Sequence, residues 1–283
     1  MGKLDYKRCR AELKRYETEQ PQAGALTGLS NSILDIQESV RASLGPAPAV
    51  SAEAMSNMNA GVPAMGGKSP VMPGGIFRPA AEKLAAVFTN TAGAAFPLDR
   101  ILALPQLQGD DVSAVADDLL GGQLDLDALA EGSGFNAETI ALFLHSLFVP
   151  FFEREAEPYS QAVLDREIKW TSGICPVCGA PPRYAVYYDD KGYRKLYCGL
   201  CRTQWPYPRH KCPVCENLKG TALRIMTLGE DQAHMAEACE SCKSYIKATD
   251  ERKLLRECLP VIEDVVTAAI DIAATKEGYS RAA

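Results

Sequence analysis

No stretch of this chain reaches the roughly 20 consecutive apolar residues that a bilayer-spanning helix needs. The best candidate, Ala141 to Phe152, is broken by His145, Ser146 and Pro150, which excludes a membrane-spanning helix. The opening MGKLDYKRCRAELKRYE alternates charges and has no apolar core, so it does not read as a secretory signal. Tyr6 stands where a myristoylation signal wants Ser or Thr. The expected compartment is the cytoplasm. Histidine is scarce, with three in 283 residues, and scattered. No Ser/His/Asp set, phosphate-binding loop or dinucleotide fingerprint is present, so the sequence points away from a conventional enzyme and no catalytic residue is assigned. What remains is ordinary globular composition, 47% hydrophobic and 23% charged, with length for two or three modest domains.

Cysteine is also scarce, except in one window. Of ten, only Cys9 and Cys258 lie outside Cys175 to Cys242. With no export signal, disulfides explain such a cluster poorly, because cytosolic thiols are kept reduced. Charge divides at the same place. Residues up to Lys169 carry a net −8 and those from Trp170 onward a net +2, which together give the −6 of the whole chain. A helical half and a cysteine half are implied.

In the first half, Leu4, Cys9, Leu13 and Tyr16, then Leu26, Leu29, Ile33, Ile36, Val40 and Leu44, recur at helical spacing and stop at Gly45-Pro46. From there to Pro79 the sequence turns to Pro, Gly, Ala, Ser and Met, which reads as a long loop. Helical signals resume at Arg78 and continue as short segments over 81–89, 110–120 and 124–129. The strongest helix runs from Asn136, a ready cap, to about Glu155, with Ile140, Phe143, Leu144, Leu147, Phe148, Phe151 and Phe152 on one stripe. His145 lies off that stripe with no partner at ligand spacing. Tyr159 to Trp170 reads as a further helix leading into the cysteines. Beyond them, Pro260 suits the first turn of a single helix ending at Gly278. Asp264 and Asp271 on it read as solvated carboxylates.

The cysteines form four Cys-x-x-Cys pairs: Cys175/Cys178, Cys198/Cys201, Cys212/Cys215 and Cys239/Cys242, separated by 19, 10 and 23 residues. Two intervening residues let a tight turn aim both sulfurs at one point, and two such turns complete a tetrahedron. Gly179, after the first pair, suits the left-handed conformation that these turns need. The longer gaps accommodate hairpins and the short one a connection, so the pattern reads as two ribbons, each opening on Cys-Pro-Val-Cys. Strands are expected over Tyr184–Tyr188 and Tyr193–Tyr197 around the turn 189–192, and over Ala222–Leu228 and His234–Ala238. A thioredoxin-type motif would need a βαβ context that is absent, although exposed thiols could still do redox work. Iron–sulfur clusters remain open, but knuckle pairs on short hairpins favour one tetrahedral ion per ribbon. The basic and aromatic run from Arg202 to Lys211 raises nucleic acid as a partner. A net charge of −6 disfavours it, and the plainer reading packs Trp205 between the ribbons and pairs Arg209 with a carboxylate.

The segments WTSGICPVCGAPP, GYRKLYCGLC, TQWPYPRHKCPVC, ACESCKSY and EDVVTAAIDIAATKEGYSR resemble those of FdhE-type formate dehydrogenase accessory proteins. The resemblance is specific from about Trp170 to Arg281 and only a matter of layout before that. It implies a cytoplasmic maturation factor, not an enzyme, that acts on the molybdenum or tungsten catalytic subunit of formate dehydrogenase without being its sulfurtransferase. It also makes the eight cysteines the ligands of two mononuclear tetrathiolate ions, iron or zinc. The expected fold is α+β: a helical domain over 1–169, rubredoxin-like ribbons over 170–209 and 210–250, and a C-terminal helix within 251–283 that packs back on the core. The expected partner is that catalytic subunit, met near Trp170 and Trp205; a homo-oligomer is left open. The two other readings are a thiol redox factor acting on the same subunit and a zinc-ribbon nucleic-acid-binding module. The Met/Pro/Ala-rich stretch and the short tail after Gly278-Tyr279 depart from the family pattern.

Overall fold

Apolar spacing of three and four residues builds the helices of a computed structural model that describes residues 4–165, 167–218, 222–254 and 256–281. They are α1 (Tyr6–Glu19), α2 (Gly24–Ser43), α3 (Ala52–Asn59), α4 (Gly74–Ala92), α5 (Leu98–Leu102), α6 (Ala114–Leu120), α7 (Leu126–Ala130), α8 (Ala137–Ala156) and α9 (Ser160–Leu164). The chain divides into two compact units, one of residues 5–48 with 68–155, the other of residues 49–67 with 156–283.

The first unit is helical and its centre is α8. Asn136 caps that helix, its side chain accepting from the Thr139 amide at 3.0 Å. Phe143, Phe148 and Phe151 are buried with Phe77, Phe88 and Phe96, the Phe96 and Phe143 rings lying 4.4 Å apart between centroids. Pro150 sits inside α8 and, lacking an N–H, leaves the Ser146 carbonyl one turn earlier without its usual donor. The buried Gln37 side chain of α2 donates to that carbonyl at 2.9 Å. The helix therefore continues through a proline that would otherwise break it. The expected loop over 46–79 is shorter than its composition suggests: Ser51 caps α3 within it, and α4 starts at Gly74 with Pro79 already inside.

The second unit is built on one sheet. Its strands are β1 (Pro182–Tyr188), β2 (Tyr193–Cys198), β3 (Gln204–Pro206), β4 (Leu223–Met226), β5 (His234–Cys239), β6 (Ser244–Asp250) and β7 (Ser280–Arg281). The β1–β2 hairpin turns on Asp189 and Gly192, both at positive φ. The order is β3-β2-β1-β6-β5-β4, with β7 also on β6. The two expected hairpins are present, but they are joined edge to edge by a parallel β1–β6 pairing, Tyr184 opposite Lys247.

The C-terminal helix is two helices, α10 (Pro260–Val266) and α11 (Ala268–Lys276), parted at Thr267, whose hydroxyl turns back to the Glu263 carbonyl. Ile270, Ala274 and Tyr279 pack on Met226, Ala236, Ala238 and Tyr245 of one sheet face. Asp264 and Asp271 correct the solvated reading. Both bind the fully buried Lys247 ammonium, at 2.9 and 2.6 Å, and both meet Arg281. Burial opposes ionisation of Asp264, but Arg183, Lys247 and Arg281 hold its carboxyl below the usual range. Of the expected 159–170 helix, α9 ends at Leu164, and Arg166 lies outside the described residues.

Candidate metal centre

Each Cys-x-x-Cys pair folds as the same knuckle. The residue after the second cysteine is left-handed in all four: Gly179, Arg202, Glu216 and Lys243, with φ of 82°, 62°, 57° and 57°. In three, its amide returns to the carbonyl of the first cysteine: Gly179 to Cys175, Arg202 to Cys198 and Lys243 to Cys239, at 2.8 to 3.0 Å. Only Gly179 carries the sequence signal for this backbone. The other three are non-glycine residues held there by the turn, at a cost of about 1–3 kcal/mol each.

The knuckles bring the eight predicted cysteines together as two groups of four. Within Cys175, Cys178, Cys198 and Cys201, and within Cys212, Cys215, Cys239 and Cys242, every sulfur lies within 4.8 Å of the others. Cross-knuckle distances are 3.4 Å for Cys175–Cys201, 3.5 Å for Cys178–Cys198, 3.8 Å for Cys212–Cys242 and 3.7 Å for Cys215–Cys239. A metal–sulfur bond of about 2.3 Å gives a tetrahedron with edges of about 3.8 Å, and a disulfide would need about 2.05 Å. All ten cysteines are free thiols. Backbone amides turn to the sulfurs, as they must around thiolates: Cys201 to Cys198 and Val214 to Cys212, both at 3.4 Å.

Four thiols this close cannot all ionise unaided. Burial pushes Cys175 and Cys178 well up, and Cys212 to about 12. One thiol in each group goes the other way against its own burial. Cys198 is held well below its ordinary value by the other three thiols, and Cys242 falls to about 7 through Ser244 and its neighbouring thiols. A bound dication supplies the charge that lets all four become thiolates. The donor set and its spacing therefore fit a tetrathiolate metal.

The two groups differ in cover. Around the first, only Cys178 is even half-exposed; in the second, Cys215 is exposed and Cys242 half-buried. The first also carries a strap. Ala64 and Met65 donate their amides to the Pro176 and Val177 carbonyls at 2.9 Å, and Pro63 lies against Gly179. Nothing in the Pro/Gly/Met composition announced that role. Gly173 ties the groups to each other. A Cβ there would stand 1.9 Å from the Pro213 carbonyl oxygen, and its amide donates to Glu216 at 3.0 Å.

Residues 174–209 match the FdhE central domain and residues 210–283 the FdhE C-terminal domain. From residue 174 to 283 the chain is of FdhE type. It is 29% identical to an FdhE homolog of Aquifex aeolicus over 150 residues, 52% of this chain and 51% of that protein. It is 34% identical to FdhE of Escherichia coli O1:K1 / APEC over 110 residues, 38% of this chain and 35% of that protein. The matches thus span from about a third to about half of the length of these curated relatives. The crystal structure of the FdhE protein from Pseudomonas aeruginosa superposes with a TM-score of 0.64 at 22% identity, covering 98% of this chain and 92% of that one, a likeness of fold.

Two expectations around the FdhE-type ribbons change. Trp170 and Trp205 are buried, and the Trp170 indole is spent on the Ile174 carbonyl at 2.8 Å, so neither offers a partner surface. Arg209 has no carboxylate partner among the described residues; Glu237, on the same cleft, is held by Arg194, whose buried guanidinium pairs with it while Tyr187 donates to the same carboxylate at 2.6 Å.

Proposed function

We propose that this chain is a cytoplasmic, non-catalytic accessory protein in the assembly of active formate dehydrogenase, binding its catalytic subunit through a fold stabilised by two mononuclear tetrathiolate ions. The observation that carries the reading is the pair of four-sulfur groups at tetrahedral spacing, set in domains of FdhE type. Spacing favours one ion per group, since a multi-iron cluster spreads its thiolates around the outside of an iron–sulfide cage. Iron and zinc both suit four thiolates. Nucleic-acid binding has little support, because Trp205 and Tyr207 are buried and so give no stacking platform.

The test is co-purification of the metal-loaded chain with a recombinant formate dehydrogenase catalytic subunit. A stable complex is expected, together with two equivalents of iron or zinc and no acid-labile sulfide. A subunit that elutes alone while the metal remains in place would overturn the partner, whereas stoichiometric sulfide would overturn the mononuclear sites.

A further inference from the structure

β4 is an edge strand, and its free side is shaped as a receptor. The Glu240 amide donates to the Ala222 carbonyl at 2.7 Å, which makes that pair a hydrogen-bonded one. By alternation Arg224 and Met226 bond to β5, while the N–H and C=O groups of Leu223 and Ile225 point away from the sheet. Arg224 of the strand pairs with Glu277 at 2.6 Å on the α11 side, no further strand covers its outer side among the described residues, and Ile225 is 51% exposed.

A cleft lies on each side of it. Toward α11, one of about 250 Å³ has Met226, Leu228, Ile270 and Ala273 as its apolar wall and the Arg224–Glu277 pair as its polar one. On the opposite face, one of about 280 Å³ has Leu223, Ile225 and Met235 as its apolar wall and Arg209 and His210 at its rim. Both of these rim residues are exposed, and neither has a hydrogen bond or ion pair among the described residues. The acids beside them are already committed, Glu237 to Arg194 and Asp250 to Arg252.

We infer that β4 takes an additional strand from a partner chain, an extended segment with alternating apolar side chains and a carboxylate directed at Arg209 and His210. Main-chain bonds to Leu223 and Ile225 supply affinity, and alternate side chains of the incoming strand fall into the two clefts. The exposed Arg209 guanidinium selects an acidic segment over a neutral one. The chemistry of the surface defines its occupant, independently of whether formate dehydrogenase supplies it.

The experiment selects displayed random peptides, about ten residues long, on the full metal-loaded chain. Enrichment of alternating apolar sequences with Asp or Glu is expected. Ile225→Pro, which removes an outward N–H and leaves the β5 ladder, should abolish their binding, and Arg209→Glu should weaken it roughly tenfold. If Ile225→Pro fails to fold, N-methylation of alternate amides in a selected peptide is the second readout; only one of the two registers should destroy binding. No enrichment, a helical i, i+4 pattern, indifference to both tests, or self-association that closes β4 against a second copy would each overturn the inference.

Discussion

Arg194 of β2 and Glu237 of β5 meet in an ion pair whose side chains are 0% and 1% exposed. The two belong to different hairpins, so the pair reaches across β1 and β6. Arg194 also donates to the Pro208 and Lys211 carbonyls at 3.2 and 3.0 Å, fixing the connection that leads to Cys212. Removing one partner strands a buried charge. Glu237→Ala is expected to cost about 3–5 kcal/mol, whereas an apolar replacement of both residues should cost much less. Urea denaturation of the single and double variants reads the difference.

Metal should leave the second group first. Cys215 is exposed, while the first group is strapped by residues 63–65. Challenge of the loaded protein with a chelator is expected to be biphasic, the fast phase vanishing in Cys215→Ser. Ala64→Pro deletes the amide that bonds Pro176, and should accelerate only the slow phase. Because most of the thiols must lose protons to bind, both affinities should fall as pH is lowered.

His234 lies between Asp231 at 2.7 Å and Glu263 at 3.0 Å, and Glu263 is bound in turn by Arg256. Burial disfavours the imidazolium, but the two carboxylates outweigh it and raise His234 above its ordinary 6.5. Glu263 is buried too, yet His234 and Arg256 hold it below its ordinary 4.5. The His234 contribution is therefore fully present below pH 6.5 and lost as pH rises through the raised value. That of Glu263 is present above pH 4.5 and lost as pH falls through the lowered one. Resistance to thermal unfolding should be greatest between these limits, and His234→Gln should flatten the decline over about pH 6 to 8.

Gln37→Leu tests the bridged proline of α8. It leaves the Ser146 carbonyl buried without a donor, a loss of about 1–3 kcal/mol. Adding Pro150→Ala restores the backbone N–H and should recover most of that stability, a coupling that denaturation of the double variant would reveal.

The sequence carried the four knuckles, both hairpins, the first two helices and α8, because each depends on local spacing. It did not reveal β6, the strand that unites the sheet. Lys247, Thr249 and Asp250 are all buried there, so the apolar alternation that marks a strand is interrupted by polar groups satisfied only by distant partners. Arg202, Glu216 and Lys243 hide their left-handed backbone for a similar reason. No side chain announces it, although Gly179 stands at the same offset in the first knuckle. The strap over 63–65 was concealed by composition, since two backbone amides hold it.

The parallel register of Tyr184 with Lys247 sets an order on biosynthesis. The first hairpin leaves the ribosome while the strand that will flank it is still untranslated, and its outer edge stays unsatisfied through the synthesis of the whole second hairpin. An ion captured early by Cys175, Cys178, Cys198 and Cys201 would hold the nascent hairpin closed during that interval. If the proposed ions are bound, supply of metal to the translating chain would set how much protein reaches the native sheet and how much is lost to pairing between unfinished edges.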